Sequence, residues 1–412
     1  MRVKKKLAYE AGRRAPPRRG SAAMSFAGAG ESINRPWLRG LLYQAFLVLV
    51  ILGLAAAAAY NAYANMRARG IPLGFGFWDQ TAGFDVNLHL IPYSSLSTYG
   101  RAFWVGLINT LLVAGLAIPL ATFFGFAIGL ARLSPNWLMS RSALAYTNVV
   151  RNTPLLLQLL FFYNVVLKSL PTPRQSIRLG HAIYLNNRGL FLPAPVPTAQ
   201  VVWFAAAMGF ALVAGTAFAA WARRHQASTG AQTPTLAVNG LLVIGLPAIA
   251  AAATGAPFTF DYPALAGFNL KGGVPIMPEL AALSFGLVIF TSAFIAEIVR
   301  AGVLSVPRPQ TEAAMALGLH RGLATRLVII PQALRLIVPP LTSQYLNVVK
   351  NSSLAVFIGY PDLVQIFAGT VLNQTQAAVQ VMSVTMAVYL VISLAVASVL
   401  NAYNASRALK ER

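Results

Sequence analysis

The chain has 412 residues, 57% hydrophobic and only 10% charged, with 32 Lys and Arg against 10 Asp and Glu for a net charge of +22. A soluble globular protein carries about 25% charged residues, so an ordinary water-soluble enzyme and a disordered protein are excluded and a polytopic membrane protein is expected. The absence of Cys excludes a disulfide scaffold, thiolate metal sites and a Cys nucleophile.

A spanning helix needs about 20 mostly apolar residues, and the apolar runs fall in a clear order along the chain. Residues 1–40 form a basic tail, with Lys4, Lys5, Lys6, Arg13, Arg14, Arg18 and Arg19 around Pro16 and Pro17. The tail reads as an orientation signal touching anionic headgroups, not as a nucleic-acid arm. A first span at 41–60 is too long, and too far from the start, for a cleaved signal peptide and reads as a retained anchor. Residues 61–103 form an extracytoplasmic segment, followed by spans near 104–130, 153–170, 200–221, 236–254, 281–303, 336–357 and 378–402, which makes eight in all. Trp37, Trp78, Trp104, Trp137 and Trp203 lie near span ends and are expected to form an interfacial belt.

With the N-terminus placed in the cytoplasm, 23 of the 32 basic residues fall in cytoplasmic segments, so both termini are expected inside. The high net charge is then an orientation device and gives no argument for nucleic acid. The four His show no HExxH and no metal-ligand pairing, and none of the seven Lys follows a Gly as a phosphate-binding GK[ST] loop requires. No metal or cofactor is expected on this chain, and no catalytic residue.

Between the sixth and seventh spans, residues 305–335 read as a helix, a glycine and a second helix. Pro309 suits a first turn, where its missing N–H costs nothing. Glu312 is expected in or near that turn. Glu312 through Leu317 are strong helix formers, and Gly318 suits the left-handed residue that ends a helix. Exposed Ala and Met there would let a partner approach closely.

This segment resembles the EAA loop of ABC importer permeases: Glu312-Ala313-Ala314, Gly318 and Val328-x-Ile330-Pro331 keep the spacing of Glu-Ala-Ala, three residues, Gly, nine residues, Ile-x-Leu-Pro. Pro309 departs from the Gly common there and stiffens the loop. Asn109-Thr110-Leu111, Arg151-Asn152-Thr153-Pro154-Leu155-Leu156, the Glu297 to Gly302 stretch and Lys350-Asn351-Ser352-Ser353-Leu354 resemble the polar amino acid permeases of the histidine/glutamate/glutamine/arginine/opine branch. The stretch from Gly74 to Tyr93 resembles the long permeases of general L-amino acid systems, and the likeness covers about residues 70–405. The resemblance implies an all-α integral membrane fold with the type I ABC importer permease core. That permease domain occupies 104–404 with an inserted helix pair at 200–254. It implies that Glu312, Ala313, Ala314, Gly318 and Pro331 couple the chain to an ATPase. ATP and Mg²⁺ would sit on a cytoplasmic ATPase dimer, a homologous second permease would complete the pathway, and a periplasmic binding protein would deliver amino acids at the bacterial inner membrane.

Glu297 is the only acid well inside a span, so it is expected to face the bundle interior with a partner. It either meets the substrate ammonium group or pairs with Arg300, Arg151 or Lys350. Lys350, Asn351, Ser352, Asn109 and Thr153 are further pathway candidates that serve equally well as interhelical hydrogen-bonding groups. Pro339 and Pro340 either line a cavity or kink span seven. An ion- or proton-coupled secondary carrier, with Glu297 as the coupling acid, is the rival function, and the EAA-like loop argues against it.

Overall fold

The computed structural model describes residues 36–68, 70, 74–180 and 182–407. The basic tail therefore lies outside the described residues except for its last few, as do Lys410 and Arg412. The chain divides into two units, residues 1–72 and 73–412. In the first, helix α1 (Pro36–Ala68) is exposed along its apolar length, as a helix solvated by lipid would be. It extends eight residues past the expected end of the first span.

In the second unit, α2 (Tyr99–Arg132) and α3 (Trp137–Arg151) come first, and α4 (Leu155–Leu160) continues as a π-helix to Leu167. Strands β1 (Ile177–Leu179), β2 (Ile183–Asn186), β3 (Gly189–Leu192) and β4 (Ala194–Pro197) lead to the helix pair α5 (Val201–Thr229) and α6 (Thr235–Thr254). Then follow β5 (Phe258–Asp261), β6 (Ala264–Ala266), β7 (Asn269–Lys271), β8 (Val274–Ile276) and the long helix α7 (Pro278–Leu304). The chain continues through α8 (Arg308–Ala316), α9 (Arg321–Ala324), α10 (Ile330–Asn351), α11 (Leu372–Thr375) and α12 (Ala378–Arg407).

Among the described residues, seven helices are long and apolar enough to cross a membrane, or eight if the bent pair of α3 with α4 and its π continuation counts as one. That pair corrects the expected straight span at 153–170. The chain is helical from Trp137, breaks at Asn152–Pro154 and turns by 102°. Pro154 is the cause, because proline disfavours helical backbone in the residue before it and lacks an N–H. Between the expected spans at 336–357 and 378–402, a 3-10 segment, a π-helix (Val364–Val371) and α11 fold back before α12 begins at Ala378, where the last span is expected. Pro339 and Pro340 do not break α10, which runs continuously through both.

The small sheets qualify the all-α expectation. Strands β1, β2, β3 and β8 form an antiparallel sheet, β4 pairs β5 and β6 pairs β7. All lie in the connections to α5 and from α6, so the inserted pair enters and leaves through one set of β-ribbons. The insertion's helices pack chiefly on each other.

The core is the α2–α7 pair. A Cβ on Gly125 would sit 2.5 Å from Ile295 Cβ, and one on Gly129 would sit 2.8 Å from the Ala296 carbonyl oxygen and Val299 Cβ. Gly125 and Gly129 thus form a small-residue stripe that lets two backbones approach, the way helices associate where lipid removes a hydrophobic drive. Residues 74–98 form a strap over the first turns of α2. Phe77, Ala82, Val86 and Tyr93 are buried with Tyr99, Phe103, Phe367 and Val381. Trp78 is therefore no belt residue: its ring lies 5.2 Å from Phe103 and 5.7 Å from Phe367 and fills the space a side chain at Gly100 would need.

Candidate functional site: a coupling hairpin, an arginine cluster and a buried polar node

The hairpin end of the bundle carries α8 and α9. Helix α8 begins at Arg308 with Pro309 in its first turn. Glu312 falls at the start of the second turn, near the first turn as expected. Gly318 has φ +83° with open space around its Cα. The Leu319 N–H donates to the Ala314 carbonyl (3.2 Å) and the Gly318 N–H to that of Met315 (2.9 Å), a glycine-terminated helix end with its carbonyls satisfied. His320 then caps α9 by accepting from the Leu323 N–H at 3.4 Å.

Glu312 and Ala313 are exposed, as are Met315 and Leu317, the latter 83% exposed. Ala314 is not: it is 4% exposed and turned inward. Pro331 is exposed at the start of α10, and Gln332 Nε2 donates to Gln310 Oε1 at 3.4 Å, tying α10 to α8. The hairpin so presents Glu312, Ala313, Met315 and Leu317 outward, a small acidic and apolar knob flanked by Arg308 and Arg321.

Glu297 lies seven residues before the end of α7, about 10 Å along its axis. All the ion pairs among the described residues converge on it. Arg300 donates to Oε1 from Nε (3.1 Å) and Nη2 (2.6 Å), and Arg132, the last residue of α2, donates to Oε2. Arg151 stands 3.5 Å from Oε2 without a hydrogen bond, its guanidinium 5.2 Å from the Phe294 ring centre. The expected pairing with Arg300 and Arg151 is therefore present, Lys350 is not a partner, and Arg132 is one that sequence reasoning missed. Arg132 closes the apolar run of span two, where it reads only as an orientation charge.

At the opposite, strap end, the other candidates separate. Asn109 and Ser352 are completely buried. Asn109 Nδ2 donates to the carbonyls of Leu88 and Pro361, both at 2.8 Å, and the Asn109 carbonyl accepts from the Tyr360 hydroxyl at 3.0 Å. Thr110 Oγ1 accepts from the Leu363 N–H at 3.1 Å. The buried Asp362 accepts from the Gln365 N–H (2.8 Å) and the Tyr389 hydroxyl (3.2 Å). This node stitches the strap, α2, the folded-back loop and α12. The sequence does not single out Asp362, Tyr360 and Tyr389, because their contacts join separate elements and no local pattern encodes them. Nearby, burial and the Asp85 carboxylate push the Tyr93 phenol up to about 12, so its hydroxyl remains a donor to the Phe84 carbonyl at 3.1 Å.

Asn351 is half-buried and Lys350 exposed, next to Ser352 at the end of α10. Thr153 is apart from them, at the α3–α4 break, its hydroxyl donating to the Val149 carbonyl at 2.8 Å. Thr153 and Gln158 border a cavity of 410 Å³ there.

A bundle of this kind, with seven or eight helices long and apolar enough to span a bilayer among the described residues, is the form of a polytopic membrane protein. The chain belongs to the binding-protein-dependent transport system inner membrane component family, whose sequence model matches residues 117–410. It is 48% identical over 381 residues to the Escherichia coli protein YhdX, covering 92% of this chain and 97% of that one. It is 45% identical over 377 residues to the general L-amino acid transport system permease protein AapQ of Rhizobium johnstonii, covering 92% and 94%. It is 39% identical over 405 residues to the glutamate/glutamine/aspartate/asparagine transport system permease protein BztB of Rhodobacter capsulatus, covering 91% and 95%. The chain is thus a multi-pass permease subunit of the inner membrane, and the long N-terminal and inserted segments belong to a form these relatives share over nearly their whole length.

Proposed function

We propose that the chain is a permease subunit of an ATP-driven importer of L-amino acids. The observation that carries this reading is the near full-length similarity to AapQ and BztB, both named as permeases of amino acid systems. In this reading, both termini are cytoplasmic, as the basic residues argue. A homologous second permease completes the pathway, and a periplasmic binding protein delivers substrate to the strap end. The hairpin of α8 and α9 docks on a cytoplasmic ATPase dimer that holds ATP and Mg²⁺. Glu312, Ala313 and Gly318 set the shape of the docking knob, Ala314 packs it onto the bundle, and Pro331 starts the helix that transmits its motion.

Among the pathway candidates, Lys350, Asn351 and Thr153 keep groups open to solute, whereas Asn109 and Ser352 are engaged in holding helices. Glu297 is the counter-ion of three arginines. A carboxylate so occupied is a poor ammonium ligand and a poor proton carrier. The test is uptake of labelled L-glutamine by proteoliposomes holding the complete complex, ATP and binding protein, in competition with each unlabelled L-amino acid. Uptake that requires ATP and is inhibited by L-amino acids but not by sugars supports the reading. Uptake driven by a proton gradient without ATP overturns it.

A further inference from the structure

The inserted helices α5 and α6 join the rest of the second unit through the two-stranded ribbon of β4 and β5. β4 stops at Pro197 and α5 starts at Val201, while α6 stops at Thr254 and β5 starts at Phe258. The Thr198 N–H donates to the Pro257 carbonyl at 3.0 Å and its hydroxyl to the Ala256 carbonyl at 2.8 Å, which closes the ribbon onto the helix pair. The register sets Pro195 opposite Phe260 and Pro197 opposite Phe258. Residues directly opposite share a face, so these four side chains form one apolar surface, and all four are exposed. The Phe258 ring meets Phe204, in the first turn of α5, at 6.3 Å between ring centres. The apolar face of the ribbon therefore continues the surface of a helix long and apolar enough to span a bilayer.

Phe260 is 54% exposed and the adjoining Tyr262 57%. The one charge on the ribbon is Asp261, and its carboxylate accepts from the Gly273 N–H at 3.1 Å. A ribbon of two strands has two open edges, so it is excluded from hydrocarbon, where unpaired backbone groups find no water. Pro195 and Pro197 lower that burden by removing two N–H groups. The headgroup layer satisfies both rings and backbone, because it offers apolar contact beside water. Trp203, 63% exposed at the start of α5, marks that level on the helix. The layer is about 5–7 Å deep in each leaflet, and two residues of strand cover ~7 Å. With Phe258 at its floor, Phe260 reaches its outer limit in an upright ribbon and stays well within it in a tilted one.

We propose that the β4–β5 ribbon is a foot seated on the bilayer, with its Phe258 and Phe260 face in the phospholipid headgroup layer. The proposal needs α5 and α6 only as spans and does not depend on the cargo. The foot has a mechanical consequence. β4 follows β3 after one residue, β3 pairs with β8, and β8 leads into α7 after one residue. The bilayer so sets the height of the sheet and of the first turn of α7, the helix that carries Glu297. An insertion whose helices pack chiefly on each other thereby gains a purpose: it gives a core helix a fixed reference in the membrane.

The test uses the absence of Cys from the chain, which lets Phe260→Cys carry a single nitroxide label. The full chain is placed in nanodiscs of phosphatidylethanolamine and phosphatidylglycerol. Electron paramagnetic resonance then measures collisions of the label with oxygen, which concentrates in lipid, and with a nickel chelate, which stays in water. Leu212→Cys, exposed midway along α5, gives the lipid reference, and Ala231→Cys, in the loop between α5 and α6, gives the water reference. The oxygen-to-nickel ratio at 260 should exceed that at 231 several-fold and stay below that at 212. A ratio equal to that at 231 would overturn the proposal, since the ribbon would then stand in water. A ratio equal to that at 212 would overturn it too, by placing the ribbon in hydrocarbon. Suppressed collisions with both reagents would mean a protein contact in place of lipid and count equally against it. Were Phe260→Cys not to fold, a label at Phe258→Cys is judged by the same outcomes.

Discussion

Glu297 gathers Arg132 from α2, Arg151 from α3 and Arg300 from its own helix, so a single carboxylate joins three elements. Removing one partner of a buried ion pair costs about 3–5 kcal/mol; here the effect should be toward the low end, since the Glu297 side chain is 26% exposed. Glu297→Gln is therefore expected to lower the melting temperature of the detergent-solubilised protein more than Arg151→Gln does, because it strands three positive charges where the other removes one surplus charge. Thermal unfolding of both variants, followed by tryptophan fluorescence, checks this order. At the other end, Asn109 uses both amide protons on carbonyls of the strap and the folded-back loop. Asn109→Leu leaves those two carbonyls unpaired, and a buried unpaired group costs about 1–3 kcal/mol. The expected result is a comparable loss of stability, read in the same melting experiment, together with faster proteolysis within residues 74–98.

Among the elements, the pairing of α2 with α7 depends on what Gly125 and Gly129 lack. Gly125→Leu would drive atoms into Ile295, already 2.5 Å from the position of a Cβ. Overpacking of a tight interface costs about 1–3 kcal/mol or more. The variant is expected to give little folded protein, whereas Gly115→Leu, where nothing lies within 4 Å, should be tolerated; size-exclusion profiles of the two in detergent make the comparison. The strap depends on one ring. Trp78→Ala should cost about 3 kcal/mol, the lower end for a truncated aromatic, because Trp78 is only half-buried among Phe103 and Phe367. Its check is hydrogen exchange, which should rise across residues 74–98 and leave α8 and α9 unchanged.

On the scale of the whole molecule, the features that rest on composition or short-range chemistry were readable from the sequence. Seven of the expected spans correspond to single helices, and Pro309 and Gly318 mark the hairpin because proline fixes its φ and glycine takes the left-handed φ of +83° without strain. Features that depend on packing were not readable. The α3–α4 break falls at the start of the expected span at 153–170, and α3 before it carries Arg141 and Arg151, so hydropathy does not join the two helices into one bent element. Arg132 meets Glu297 across 165 residues of sequence, a proximity no local pattern encodes. Asp362 lies between the last two expected spans, and its burial reveals itself only in the contacts of Tyr360 and Tyr389. The strands of the insertion are three or four residues long, too short for an alternating pattern to emerge from their Pro- and Gly-rich surroundings.

The central claim is that this chain moves solute because a partner's ATP hydrolysis pushes on the α8–Gly318–α9 hairpin. Gly318 is at φ +83° in open space, so a β-branched residue there strains the turn by about 1–2 kcal/mol without striking a neighbour. The decisive measurement is ATP hydrolysis and L-glutamine uptake by one reconstituted complex carrying Gly318→Val. The account predicts an assembled complex whose uptake falls to background and whose ATP hydrolysis no longer responds to loaded binding protein. Undiminished uptake by that assembled complex would contradict it.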